Sequence, residues 1–227
     1  MKPTIEAIIC DFDDTIMATS KVRIPILIDT VKEYGQIVDM KKLQRNWGKP
    51  FKYLIKSIAP SIDYKSFLIS YSNKMRKCKP VILPGVIDLF QFLNRNRIPI
   101  DVVTSGSRRL VQQDLKEGNL WKYIHLLWAF EDSKFHKPDH RVLYPILRTF
   151  LSINVSKNNI IYFGDSLIDY KVAKSNGISF FGILTGNTSR DEFLQNGVNN
   201  KNIFRTINEF LITESSFRRF FLPGLSP

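Results

Sequence analysis

Four short apolar runs, each ending in a small or acidic residue, constrain this chain more than anything else in it. Ile5 to Cys10 runs into Asp11. Ile98 to Val103, Ile160 to Phe163 and Phe180 to Leu184 have the same form, and all are rich in β-branched or aromatic residues. Runs this short, closed by Gly, Ser, Thr or Asp, predict buried strands. Helical patterns lie between or beside them at Val86 to Asn94, Arg108 to Glu117, His140 to Leu151 and Ile168 to Ser175. Strands alternating with helices predict an α/β fold of right-handed βαβ units, with a parallel sheet covered by helices.

The stretch from Ile16 to Val81 interrupts that alternation. It predicts helices, for instance over Ile24 to Tyr34 and Tyr64 to Lys77, punctuated at Gly48, Pro50 and Pro60, and no strong strand. It therefore reads as a helical insertion after the first strand, rejoining the sheet near Pro84-Gly85. Charge is distributed unevenly in the same way. The chain carries a formal net charge of +12, yet residues 15–81 hold 14 Lys/Arg against 4 Asp/Glu, a net of +10. Such an excess draws in an anionic substrate, holds nucleic acid, or simply solvates a surface. The tail from Phe217 to Pro227 is aromatic and basic and is expected to pack on the sheet domain.

Polar groups gather at the C-terminal ends of the expected strands, where open α/β sheets bind ligands. Asp11-Phe-Asp-Asp-Thr-Ile16 places three carboxylates in four residues. They repel one another unless a cation neutralises them, and Mg²⁺, with its preference for hard oxygen ligands, suits that task. Strand alternation sends Asp11 and Asp13 to one side and Phe12 into the core. A carboxylate beside Mg²⁺ is able to attack phosphorus and form an aspartyl-phosphate. Val102-Val-Thr-Ser-Gly-Ser107 ends a second strand in hydroxyl residues, so Thr104, Ser105 and nearby N–H groups are candidates to hold a phosphoryl group. Lys137, followed by Pro138, would offset charge on such a group. His136 and His140 flank it and read as surface loop residues rather than metal ligands. Phe163-Gly-Asp-Ser-Leu-Ile-Asp169 closes another strand, and the four-residue spacing lets Asp165 and Asp169 reach the same side of a helix N-terminus.

In this order and on these strand ends, the four groups resemble the four motifs of the haloacid dehalogenase superfamily. Asp11-x-Asp13-x-Thr15 resembles the first, Thr104 the second, Lys137-Pro138 the third, and Gly164-Asp165-x-x-x-Asp169 the fourth. Leu83-Pro-Gly-Val86 resembles the return from an inserted cap, and Gly177-Ile178 through Leu184-Thr-Gly186 resembles phosphoglycolate-phosphatase-like and β-phosphoglucomutase-like members. The resemblance implies a Rossmann-like core over residues 1–15 and 82–227 and a helical cap domain over 16–81. It implies Asp11 as nucleophile and Asp13 as general acid and then base, with Thr104 and Lys137 binding the transferring phosphoryl group. Mg²⁺ would be held by Asp11, the Asp13 carbonyl and Asp165, with Asp169 supporting it directly or through water. An aspartate two residues after the nucleophile favours a phosphate ester over dehalogenase or phosphonatase chemistry. Asp14 stands where glycine is common in the family, and either tightens metal binding or faces solvent.

The expected function is Mg²⁺-dependent hydrolysis of a small anionic phosphate monoester, with Lys41, Lys42, Arg45, Lys49, Lys52 and Lys56 as candidate substrate contacts. A phosphomutase would use the same residues. A nucleic-acid-binding or end-processing protein would use the basic insertion, where Trp47, Phe51 and Tyr53 sit among the lysines. The longest apolar stretches, such as Val81 to Val86 or Ile160 to Gly164, are too short to span a bilayer. Met1-Lys2-Pro3 reaches the acidic cluster too soon for a signal peptide. Cys10 and Cys78 offer no disulfide framework, so the cytoplasm is the expected compartment.

Overall fold

The computed structural model describes residues 5–47, 49–75 and 78–213. The chain opens with strand β1 (Ala7–Cys10) and a two-residue strand β2 (Met17–Ala18), then four helices: α1 (Ser20–Glu33), α2 (Met40–Asn46), α3 (Phe51–Ile58) and α4 (Tyr64–Met75). It returns through β3 (Val81–Ile82) and continues as α5 (Val86–Arg95), β4 (Ile100–Val103), α6 (Arg108–Glu117), β5 (Ile124–Trp128) and α7 (Tyr144–Ser152). Last come β6 (Ile160–Gly164), α8 (Leu167–Ser175), β7 (Ser179–Ile183), α9 (Arg190–Gln195), β8 (Ile203–Phe204) and α10 (Ile207–Ile212).

Six strands form one sheet in the order β5-β4-β1-β6-β7-β8, and every pairing in it is parallel. Strand alternation divides each run between two cores. Ile8 and Cys10 of β1 join Ile161 and Phe163 of β6, packed under α5, α6 and α10. Ala7 and Ile9 join Ile160 and Tyr162 under α7, α8 and α9. With both faces covered, the strands read as continuous apolar runs rather than alternating ones. The chain builds outward from β1 through β4 to β5, then crosses to β6 on the other side. That reversal opens a crevice at the carboxyl ends of β1, β4 and β6.

The insertion leaves and rejoins the sheet through an antiparallel ribbon, Met17 opposite Ile82 and Ala18 opposite Val81. Its helices bury a cluster of their own around Leu27, Leu43, Leu54, Ile55, Phe67 and Tyr71. Helix α1 begins four residues ahead of the expected Ile24, because the Asp14 carboxylate accepts from both the N–H and the hydroxyl of Ser20 at 3.0 and 2.9 Å. At Gly85 φ is +87°, and a side chain there would meet the backbone of Asn208 at 2.2 Å, so the re-entry requires glycine.

Three departures from the sequence reading have local causes. The helix expected from His140 to Leu151 is a 3₁₀ turn over His140–Leu143 followed by α7, with Pro145 in its first turn. Strand β5 escapes notice because it is a half-exposed edge carrying a histidine, and β8 is only two residues long. The end of the helix expected to reach Lys77, Gly48 and the tail from Phe217 lie outside the described residues. No helix among the described residues is long and apolar enough to cross a membrane.

Candidate active site

Asp11 is the first residue beyond β1, and its N–H donates to the Phe163 carbonyl of β6 at 2.9 Å. Phe12 turns into the core and is fully buried, so Asp11 and Asp13 are left at the crevice. Asp14 takes φ +56°, a left-handed conformation that an aspartate tolerates when its side chain finds local donors. Besides Ser20, the Trp47 indole N–H donates to its other oxygen at 3.3 Å, and its backbone carbonyl accepts from the Thr185 hydroxyl. Asp14 is buried rather than facing solvent, and it fastens the loop to the insertion.

Lys137 is buried in the loop between β5 and α7. Its ammonium donates to Asp11 Oδ1, to Asp169 Oδ1 at 2.7 Å and to the Val103 carbonyl at 3.3 Å. Asp169 accepts further from the Tyr162 hydroxyl at 2.9 Å and from the Ser166 hydroxyl. Asp165 is the first residue beyond β6, and one carboxylate oxygen from each of Asp11, Asp165 and Asp169 lies within 4.8 Å of the others. A side chain at Gly186 would meet Asp165 Oδ2 at 1.7 Å, so the loop after β7 closes on Asp165 only because that residue is glycine.

Burial dominates the electrostatics. It pushes the Asp11 carboxyl well above the ordinary range, against the pull of Lys137 and with the help of Asp169 and Asp13. It does the same to Asp165, reinforced by Asp11 and Asp169. Burial alone would lower Lys137, but Asp11 and Asp169 outweigh it and hold the ammonium protonated. Three close buried carboxylates face one buried ammonium. That oxygen-only, charge-rich donor set fits a hard divalent cation such as Mg²⁺.

A cavity of ≈ 200 Å³ lies over this cluster, lined from the sheet side by Asp11, Asp13, Ser105, Lys137 and Asp165. Gln44, Arg45 and Trp47 of the insertion line its opposite side. Thr104 Oγ1 accepts from the Gly106 N–H at 2.9 Å and shapes the turn, while Ser105 lines the cavity with a buried hydroxyl that has no hydrogen-bond partner among the described residues. Of the six insertion cations named from sequence, Arg45 lines the cavity; Lys41, Lys42, Lys49, Lys52 and Lys56 are exposed and do not. His136 stacks on Phe130 at 4.2 Å and His140 contacts Tyr144, and neither is among the residues lining the cavity.

Three neighbours of the site carry no sequence signal. Tyr162 looks like any core aromatic in a strand. Arg23 of α1 is one basic residue among many in the insertion, yet its guanidinium binds Asp13 Oδ1 at 2.5 Å and Asp114 Oδ2 of α6 at 2.6 Å. Asp114 is otherwise an ordinary residue of an amphipathic helix.

A family profile described as haloacid dehalogenase-like hydrolase matches residues 8–183. A phosphorylated carbohydrates phosphatase from Thermotoga maritima is 23% identical over 79% of this chain and 86% of its own. In three dimensions the chain is similar to a hydrolase from Pseudomonas syringae, with a TM-score of 0.73, 18% identity, and coverage of 92% of this chain and 97% of that one. It is also similar to a β-phosphoglucomutase from Clostridium difficile, with a TM-score of 0.72, 16% identity, and coverage of 95% and 97%. The profile runs from within β1 to the end of β7 and takes in all four polar groups, so the chain belongs to the haloacid dehalogenase-like hydrolases and is an enzyme of that family.

Proposed function

We propose that the protein is a Mg²⁺-dependent phosphatase that hydrolyses a small phosphate monoester through a phosphorylated Asp11, with residues 16–81 as a cap over a core of residues 1–15 and 82–227. The observation that carries this reading is the buried cluster of Asp11, Asp165, Asp169 and Lys137 opening on a cavity that Asp13 also lines. The name of the Thermotoga maritima relative supports a phosphorylated small molecule as substrate.

Asp11, Asp165, Asp169 and the Asp13 carbonyl would hold Mg²⁺, which when bound neutralises the carboxylates and withdraws charge from the phosphoryl oxygens. The chain's own residues do the rest. Asp11 attacks phosphorus as the bond to the ester oxygen breaks, and Asp13 gives its proton to the departing alkoxide. Asp13, now a carboxylate, takes a proton from water as that water attacks phosphorus, releasing phosphate and regenerating Asp11. Lys137, Thr104 and Ser105 bind the equatorial oxygens, where transferred charge is spread. Thr104 holds the turn that presents Ser105. Asp169, fixed by Tyr162 and Ser166, keeps Lys137 aimed at Asp11. Arg45, at the cap side of the cavity, faces the leaving group and favours one that carries a second negative charge.

The test is Mg²⁺-dependent release of phosphate from p-nitrophenyl phosphate, phosphoglycolate, nucleotides and sugar phosphates, with wild type beside Asp11→Asn. Turnover that needs Mg²⁺ and falls about 10³-fold or more in the variant is expected. Folded wild type that releases no phosphate from any ester would overturn the reading. Transfer to a second sugar hydroxyl in place of water would make the protein a mutase with the same residues.

A further inference from the structure

Between residues 15 and 81 most charges face solvent, and Arg23 is the exception among the described residues, at 9% exposure. A buried guanidinium is costly unless each end of its fork finds an anion. Here one nitrogen binds Asp13 Oδ1 at 2.5 Å and another binds Asp114 Oδ2 at 2.6 Å. The fork also lies 6.0 Å from the centre of the Phe12 ring, which is itself locked in the core. Three elements therefore meet at one side chain: α1 of the insertion, the loop after β1, and α6.

The two oxygens of Asp13 are used differently. Oδ1 is taken by Arg23. Oδ2 points toward the turn after β4, only 3.5 Å from where a side chain on Gly106 would begin, beside the cavity-lining Ser105. The carboxylate is held through Oδ1, and the residue lines the cavity. A planar fork tied at its far end to Asp114 fixes that orientation, which a single flexible ammonium does not.

We infer that Arg23 is the positioning residue for Asp13: anchored on Asp114, it aims the second Asp13 oxygen at the leaving group and links that aim to the seating of α1. This rests on the phosphatase reading above. Its consequence is a dependence on the leaving group. An alkyl alkoxide departs only with a proton, so an ill-aimed Asp13 slows its release, whereas p-nitrophenolate departs unprotonated.

The experiment measures the first-turnover release of alcohol, which isolates transfer to Asp11 from later hydrolysis. Glycerol phosphate and p-nitrophenyl phosphate are compared in wild type, Arg23→Gln, Arg23→Lys and Asp114→Asn, each checked for folding by thermal melting. Arg23→Gln should lose about 10²-fold on the alkyl ester and less than about fivefold on the aryl ester. Arg23→Lys should recover part of the alkyl rate, and Asp114→Asn should show the same selectivity more weakly. Added to Asp13→Asn, Arg23→Gln should cost nothing further on the alkyl ester. Equal losses on both esters in the folded variants, or no loss on either, would overturn the inference alone. Should Arg23→Gln fail to fold, the selectivity of Arg23→Lys and Asp114→Asn decides in the same way. A wild type that releases neither alcohol overturns the phosphatase reading, and this inference with it.

Discussion

The sheet core and the helical insertion handle charge in opposite ways. At the carboxyl ends of β1 and β6 the core buries Asp11, Asp165 and Asp169 within reach of one another and sets a single buried lysine among them. The insertion carries a net of +10 over residues 15–81 and exposes nearly all of it. Its ion pairs, such as Lys74 with Glu33 at 2.8 Å, are open to solvent and contribute little. Density of charge therefore says little about where the chemistry lies. Burial does, because a charge removed from water must be answered by named partners. Arg23 and Arg45 are where the two regimes touch, one buried under the insertion and the other at the edge of the cavity.

The comparison is open to being broken at each level, beginning with the largest effect. Replacing Lys137 with alanine leaves Asp11 and Asp169 buried without their ammonium. Turnover should fall about 10²–10³-fold, and stability in chelator should fall by about 3 kcal/mol, read from denaturant melts. A variant as stable and active as wild type would mean that the cluster does not depend on its lysine.

A second core charge tests burial away from the cavity. Asp101 of β4 is fully buried and receives a 2.8 Å contact from His125 Nδ1. Burial, only partly offset by His125, raises its pKa from 3.8 to about 6. Folding therefore disfavours its charged form. The penalty is absent below the unfolded value, grows as pH rises toward about 6 and is complete above it. Asp101→Asn should gain on wild type across that window and hold a constant advantage of roughly 2–3 kcal/mol beyond it. If the gap instead narrows with rising pH, the pairing with His125 dominates burial.

The smallest effects belong to the insertion. Arg45→Ala should raise KM about tenfold for an ester with a second negative group, with kcat little changed, the value of one charge-assisted contact. Replacing Lys41, Lys42, Lys52 and Lys56 together with glutamine should move KM less than about twofold and stability by no more than about 0.5 kcal/mol per site. Equal responses would show that the whole basic face, rather than Arg45, senses the substrate.

The parts of this molecule that were legible in sequence are those whose signal is local. Ile5 to Cys10 followed by Asp11 announces a buried strand and the carboxylates at its end within ten residues, and Phe163-Gly-Asp does the same for β6. The edge strand β5 was not legible, since half exposure leaves a mixed pattern around His125. The sequence put Thr104 first as a phosphoryl holder, with Ser105 beside it. Both end the same strand, and only the course of the turn decides which hydroxyl binds the Gly106 N–H and which reaches the cavity.

By itself the sequence determined the alternation of buried strands and helices, the interruption between Ile16 and Val81, and the residue types set at each strand end. Those follow from hydrophobic periodicity and from the small set of groups able to do phosphoryl chemistry, both of which can be read along a few consecutive residues. Only the tertiary structure decided that Tyr162 and Ser166 brace Asp169, that Gly186 admits Asp165, and that Arg23 joins Asp13 to Asp114. The physical reason is separation along the chain. Asp114 lies 91 residues from Arg23, and Lys137 lies 126 from Asp11. Which of many lysines and arginines becomes a partner is fixed when the sheet and its insertion close together and exclude water.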